Sequence, residues 1–161
     1  MQHSDSVSKR IRRLESQIDS ALESENPYSA LSAARSLLAL DSSAARAWLL
    51  LGILEDEDRR EVPEDPVTCL LRATELDSEL IDAWIELGSA YYQRQDYADA
   101  LRACRTALRL DRKNSRAMLG CALCYQCMGD GRRALAYYRR TIALDPEWTS
   151  PRVRLAALYS H

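Results

Sequence analysis

Three thiols stand at three-residue spacing in Cys121-x2-Cys124-x2-Cys127. Sulfur ligands so spaced are a pattern of zinc and iron–sulfur sites. Three features oppose that chemistry here. The run lies in a stretch of helical pattern, and on a helix positions i, i+3 and i+6 rotate progressively away from one another. The ferredoxin spacing needs a further cysteine where the chain has Gly131, and the only histidines, His3 and His161, stand at the chain ends. A closed zinc site takes four ligands. Cys121 therefore reads as a small packing residue, as do Cys69 and Cys104. Neither a metal nor a cofactor is expected.

Catalysis has as little support. The sequence holds no internal histidine, no nucleophile elbow and no glycine-rich phosphate loop, so no enzymatic activity is expected. Carboxylates crowd in Glu55-Asp56-Glu57-Asp58 and Glu64-Asp65. Such a run is ordinarily a solvated loop, with attraction of a basic partner the functional alternative. Lys9-Arg10 and Arg12-Arg13 alternate with Ile11 and Leu14 at helical spacing, which fits the charged outer face of a helix better than a nucleic-acid contact.

The elements that carry these residues are helices. Gly and Pro number only 5 each in 161 residues, and Ala, Leu, Arg and Glu are abundant. The net charge of -2 gives no pointer to nucleic acid or an anionic membrane. Five cysteines, three of them clustered, do not make a paired disulfide framework, so reduced thiols and a cytoplasmic setting are expected. The polar start, MQHSDSVSKRIRRLESQID, lacks a signal-peptide core, and the longest apolar run, Ala47 to Leu54, is too short to span a bilayer. These features predict a soluble, non-secreted protein.

The chain repeats itself. Ala47-Trp48-Leu49-Leu50-Leu51-Gly52 returns as Ala83-Trp84-Ile85-Glu86-Leu87-Gly88, and a Leu-Asp ending recurs at Asp41, Asp77, Asp111 and Asp145, at intervals of 36, 34 and 34. A period near 34 residues corresponds to two helices and two turns. In these positions the sequence resembles the tetratricopeptide-repeat family, whose pattern is W-x2-L-G-x2-Y, then A-x3-F, then P. The best unit has Trp84, Leu87, Gly88, Tyr91, Ala100 and Cys104; the next has Met118, Cys121, Ala122, Tyr125, Ala134, Tyr138 and Asp145-Pro146. The unit before them keeps Trp48, Leu51 and Gly52, then departs, with Glu55 for the tyrosine and Pro66 for the small alanine. The resemblance implies an all-α fold, a right-handed α-α superhelix of about nine helices. Helices are predicted near 6–24, 27–40, 44–55, 64–76, 80–93, 97–110, 114–128, 131–144 and 148–159. They would form one domain over 1–161: a degenerate unit at 6–41, repeats at 44–77, 80–111 and 114–145, and a capping helix at 148–159. Small residues (Gly52, Gly88, Ala100, Ala122) are expected where helices approach closely. Asp96 and Asp130 are expected in the tight turns.

In this family the first helix of each pair lines a concave surface. Helical spacing then assigns Leu49 and Ile53 to that surface, followed by Asp82, Ile85, Glu86, Ser89 and Tyr92, then Arg116, Leu119, Leu123 and Gln126, and finally Val153. The stripe is apolar for an exposed groove, which marks an interaction site. The expected function is a scaffold or adaptor gripping a partner helix or peptide, with Arg116, Asp82 and Glu86 setting its orientation. The alternatives are burial of the stripe by the chain's own N-terminal helix, a small chaperone shielding an apolar client, as in secretion-type members of the family, and a self-assembling module. One subgroup of the family holds acidic chaperone tails with a Lys/Asn carboxylate clamp. At the matching places this chain has Leu49, Ile53, Glu86 and Gly120, and only Arg116 fits, so that partner class is not expected. A protein partner is expected; nucleic acid and membrane are not.

Overall fold

The structure, a computed structural model, describes residues 2–54, 65–152 and 154. They form eight helices: α1 (Gln2–Glu23), α2 (Pro27–Leu38), α3 (Ala45–Ile53), α4 (Pro66–Leu76), α5 (Ile81–Gln93), α6 (Tyr97–Leu110), α7 (Ser115–Cys127) and α8 (Gly131–Leu144). Helical backbone resumes at 149–152; most of the expected capping helix and the acidic 55–64 segment lie outside the described residues. α1 begins earlier than the sequence pattern predicts, because the polar start carries no breaker before Pro27.

Two kinds of turn alternate, and each follows from local chemistry. α1, α5 and α7 end in the same Schellman arrangement. Glu25, Gln95 and Gly129 take positive φ (52°, 66° and 79°), and the next amide reaches back to the helix: Asn26 N to Ala21 O at 2.9 Å, Asp96 N to Tyr91 O at 3.0 Å, Asp130 N to Tyr125 O at 2.9 Å. Only the third of these turns has the glycine that this backbone favours. Asn26 and Asp130 then cap the following helix, accepting from Ser29 N at 3.1 Å and Arg133 N at 3.0 Å. Asp96 holds the same place but makes no such bond. The second kind of turn explains the recurring Leu-Asp. The carboxylates of Asp41, Asp77 and Asp111 each accept from the backbone N–H two residues on, at 2.9 Å in all three. These Asx turns stop the second helix of each pair. At Asp41 the Ser43 hydroxyl and amide together hold the carboxyl below its ordinary value.

The helices fall into two compact units, residues 1–80 and 81–161. In the first, α1 packs on α2, α2 on α3 and α3 on α4. Its core joins Ile18 of α1, Ala33, Ala34 and Leu37 of α2, and Ala47 and Leu50 of α3. Gly52 is required there: a β-carbon at 52 would lie 2.5 Å from Leu70 Cγ of α4. In the second unit, α5, α6, α7 and α8 pack in chain order, and α5 also touches α7. Ala122 and Tyr125 of α7 meet Ala134 and Tyr138 of α8 in one cluster, and Ile85, Ala107 and Ala117 link α5, α6 and α7 in another. Small residues stand at the close approaches, as the sequence pattern predicts.

Candidate functional site

The second unit holds an open cleft of about 310 Å³ between α5 and α7. α5 supplies Ile85, Ser89, Tyr92 and Gln93, α7 supplies Arg116, Leu123 and Cys124, and the floor is Gly88, Gly120 and Cys104. The floor is low because two glycines face one thiol. A β-carbon at Gly88 or Gly120 would lie 2.6 or 2.5 Å from Cys104 Sγ. Cys104 stands where a large aromatic is usual, so its small side chain leaves the space that the cleft occupies.

The rim is charged but largely self-satisfied. Arg116 of α7 is paired with Glu86 of α5 and lies 3.6 Å from Asp82, a turn earlier on α5. Two carboxylates face one guanidinium, so this end of the rim carries a net negative charge, while Arg154 acts on the Tyr92 phenol at the other end. At the other end Tyr92 Oη lies 3.4 Å from Cys127 Sγ, and its ring packs on Tyr97 at 5.5 Å. Its hydrogen bond to Cys127, aided by burial, pushes the Tyr92 phenol up to about 12. In the floor, the Cys104 thiol shares hydrogen bonds with Cys121 and Cys124. The Cys121 contact is the largest cause that pushes Cys104 up to about 12, and Cys104 in turn pushes Cys124 upward. The Cys104 and Cys124 thiols stay protonated at neutral pH, which makes them inert packing groups rather than nucleophiles. Among the described residues no group of three His, Cys, Asp or Glu side chains is placed to hold a metal ion.

Seven residues assigned to the concave surface from spacing meet here: Ile85, Ser89, Tyr92, Arg116 and Leu123 line the cleft, and Asp82 and Glu86 hold Arg116. The others do not. Gln126 turns to α8, where its Oε1 accepts from Tyr138 Oη at 2.5 Å. Leu119 packs beside the α7–α8 cluster. Leu49 and Ile53 belong to the first unit. Leu49 is buried, because it lies on α3's packed side with Leu50, whereas Ile53 is 40% exposed. Ile85 is only 4% exposed and forms wall rather than open surface. Val153 lies outside the described residues. Sequence reasoning marked Gly88 as a close approach but missed that it floors a cleft with Gly120 and Cys104, and that Cys124 lines it. The one further signal is Gly120, a helix-interior glycine outside the repeat pattern, which marks a close approach.

Models of the tetratricopeptide repeat match residues 16–64, 81–114 and 117–147. The chain belongs to the tetratricopeptide-repeat family. Solved structures share the fold. A MamA protein aligns with a TM-score of 0.78 at 22% identity, over 95% of this chain and 82% of its own. PilF of Pseudomonas aeruginosa aligns with a TM-score of 0.78 at 20% identity, over 96% and 70%. The first tetratricopeptide domain of Spaghetti (RPAP3), bound to the HSP90 peptide SRMEEVD, aligns with a TM-score of 0.65 at 18% identity, over 74% and 94%. No curated protein sequence matches. Among the described residues no helix is long and apolar enough to cross a membrane.

The thiols of this tetratricopeptide repeat give its stability a sign with pH. The Cys104 thiol is raised from 9.0 to about 12 in the fold, so the unfolded chain releases its proton first. The associated stability is fully present below pH 9 and is lost as pH rises from 9 through 12. Tyr92 acts in the same direction above 10. Thermal melts under reducing conditions are expected to be level up to about pH 9 and to fall beyond it, less steeply in Cys104→Ala. Equal slopes in the two proteins would remove Cys104 as the cause.

Proposed function

We propose that this repeat protein is a non-catalytic interaction module that seats a partner segment in the α5–α7 cleft. The observation that carries the reading is the cleft itself: apolar walls of Ile85 and Leu123, a low floor, and a rim with two carboxylates against one guanidinium. Its size suits one aliphatic or aromatic anchor, and anchors in such pockets supply most of the affinity at an interface. The rim charge favours a basic residue beside the anchor, since opposite charges fix register and suppress wrong partners. The Spaghetti domain takes an acidic peptide; here Arg116 is already occupied by Glu86 and Asp82, so an acidic ligand is disfavoured.

Ser89 is exposed on the cleft wall, so Ser89→Trp fills the cleft without touching the core. Peptides selected on the wild-type protein from a random phage-displayed library are expected to carry an apolar residue next to Arg or Lys. They should lose at least about tenfold in affinity, about 1.4 kcal/mol, for Ser89→Trp. The peptide SRMEEVD is expected not to bind. Selected peptides that bind Ser89→Trp as tightly as wild type would place the site elsewhere.

A further inference from the structure

The two halves of the chain carry opposite charge. Residues 1–80 have nine Lys/Arg against sixteen Asp/Glu, and residues 81–161 have thirteen against eight. An imbalance of this kind points to an anionic partner for the basic half. The excess is concentrated on α6 and α8, away from the cleft's rim. α8 has four arginines and no acidic residue. Its Arg133, Tyr137, Arg140 and Leu144 are spaced i, i+4, i+7 and i+11, so they share one face. On α6, Arg105 and Arg109 lie one turn apart and are exposed. The two sets converge at Tyr137. The Arg140 guanidinium lies 5.6 Å from that ring's centre, and Arg105 acts electrostatically on the same phenol. The carboxylates at the start of α6 and α8, Asp99 and Asp130, are already paired with Arg102 and Arg133. Among the described residues Arg105, Arg109 and Arg140 have no carboxylate partner.

We propose that this α6–α8 face docks on an anionic lipid bilayer surface. Arginines at a bilayer of anionic lipid each strengthen binding by about fivefold. The stripe ends on Leu144, 41% exposed, as is Leu110 at the end of α6; apolar groups beside basic ones suit the boundary between headgroups and acyl chains. A single-stranded nucleic acid fits less well, because its bases stack on an open aromatic face, and a duplex, held through its phosphates, would give the exposed Leu110 and Leu144 no role. Tyr137 has Arg140 over its ring and packs against Tyr125 at 5.6 Å.

The test is co-sedimentation of the full chain with vesicles of phosphatidylcholine containing about one third phosphatidylglycerol, at about 0.1 M salt, beside vesicles of phosphatidylcholine alone. Binding to the anionic vesicles only, weakened by salt, is expected. The triple variant Arg105→Glu, Arg109→Glu, Arg140→Glu should bind at least about a hundredfold more weakly. The milder Arg105→Ala, Arg109→Ala pair, which leaves the Tyr137 contact in place, should show an intermediate loss. Both are checked for unchanged helicity by circular dichroism. Arg10→Glu, Arg13→Glu on α1 should bind as wild type does. No binding to anionic vesicles, an equal loss in the α1 variant, or displacement from the vesicles by an equal charge of duplex DNA would each overturn the proposal.

Discussion

Tyr138→Ala is expected to destabilise the protein by about 3–5 kcal/mol, the range for removing a buried aromatic ring. Tyr138 has no exposed surface and is the largest fully buried side chain described. Its ring fills the junction of α7 and α8 against Ala122, Tyr125 and Ala134, which are too small or too firmly held to close the space. Its hydroxyl donates to Gln126 Oε1, so the truncation also strands that amide. Tyr138→Phe keeps the ring and drops only the hydrogen bond, and is expected to cost about 1 kcal/mol. Urea denaturation followed by circular dichroism separates the two. If the alanine variant were no worse than the phenylalanine one, the ring would not be the core of this pair.

Gly120→Ala is expected to cost about 1–3 kcal/mol, the range for forcing a methyl into occupied space, although alanine is the better helix former at an ordinary position. The new methyl would meet Cys104 Sγ at 2.5 Å, and the thiol has little room to retreat, because Gly88 faces the same sulfur from the other side. The clash is therefore specific to one atom. Removing that atom with Cys104→Ala should make Gly120→Ala nearly neutral. A double-mutant cycle should then show a coupling of more than 1 kcal/mol between positions 104 and 120, typical of residues in direct contact. Additive effects would mean that the cleft floor is not set by this three-helix contact. The same substitution should also narrow the cleft and weaken the selected peptides, which links the floor's packing to the proposed binding.

Both effects turn on contacts between helices, and there the two levels of information part. The sequence by itself determined what depends on neighbours along the chain. The 34-residue period specified paired helices, the Asp after Leu specified where second helices stop, and Asp96 and Asp130 marked the tight turns between paired helices. Small residues at Gly52 and Gly88 announced close approaches. All of these act within a few residues, through hydrogen bonds and sterics that the local pattern encodes. Even there two positions escaped: Glu25 and Gln95 take the left-handed conformation that Gly129 takes in the last of these turns, because the turn's paired hydrogen bonds outweigh the strain of a side chain. What only the tertiary structure decided was the direction in which each side chain is used. Helical spacing placed Gln126 and Leu119 with the groove, but a helix in a repeat is packed on more than one side: α8 claims Gln126, and Leu119 packs beside the α7–α8 cluster. Arg116 looked like a free orienting charge until Asp82 and Glu86, 34 and 30 residues away in sequence, were brought beside it. The cleft exists because Gly88, Cys104 and Gly120, from three helices, meet at one sulfur atom, a coincidence in space that no single helix's pattern contains.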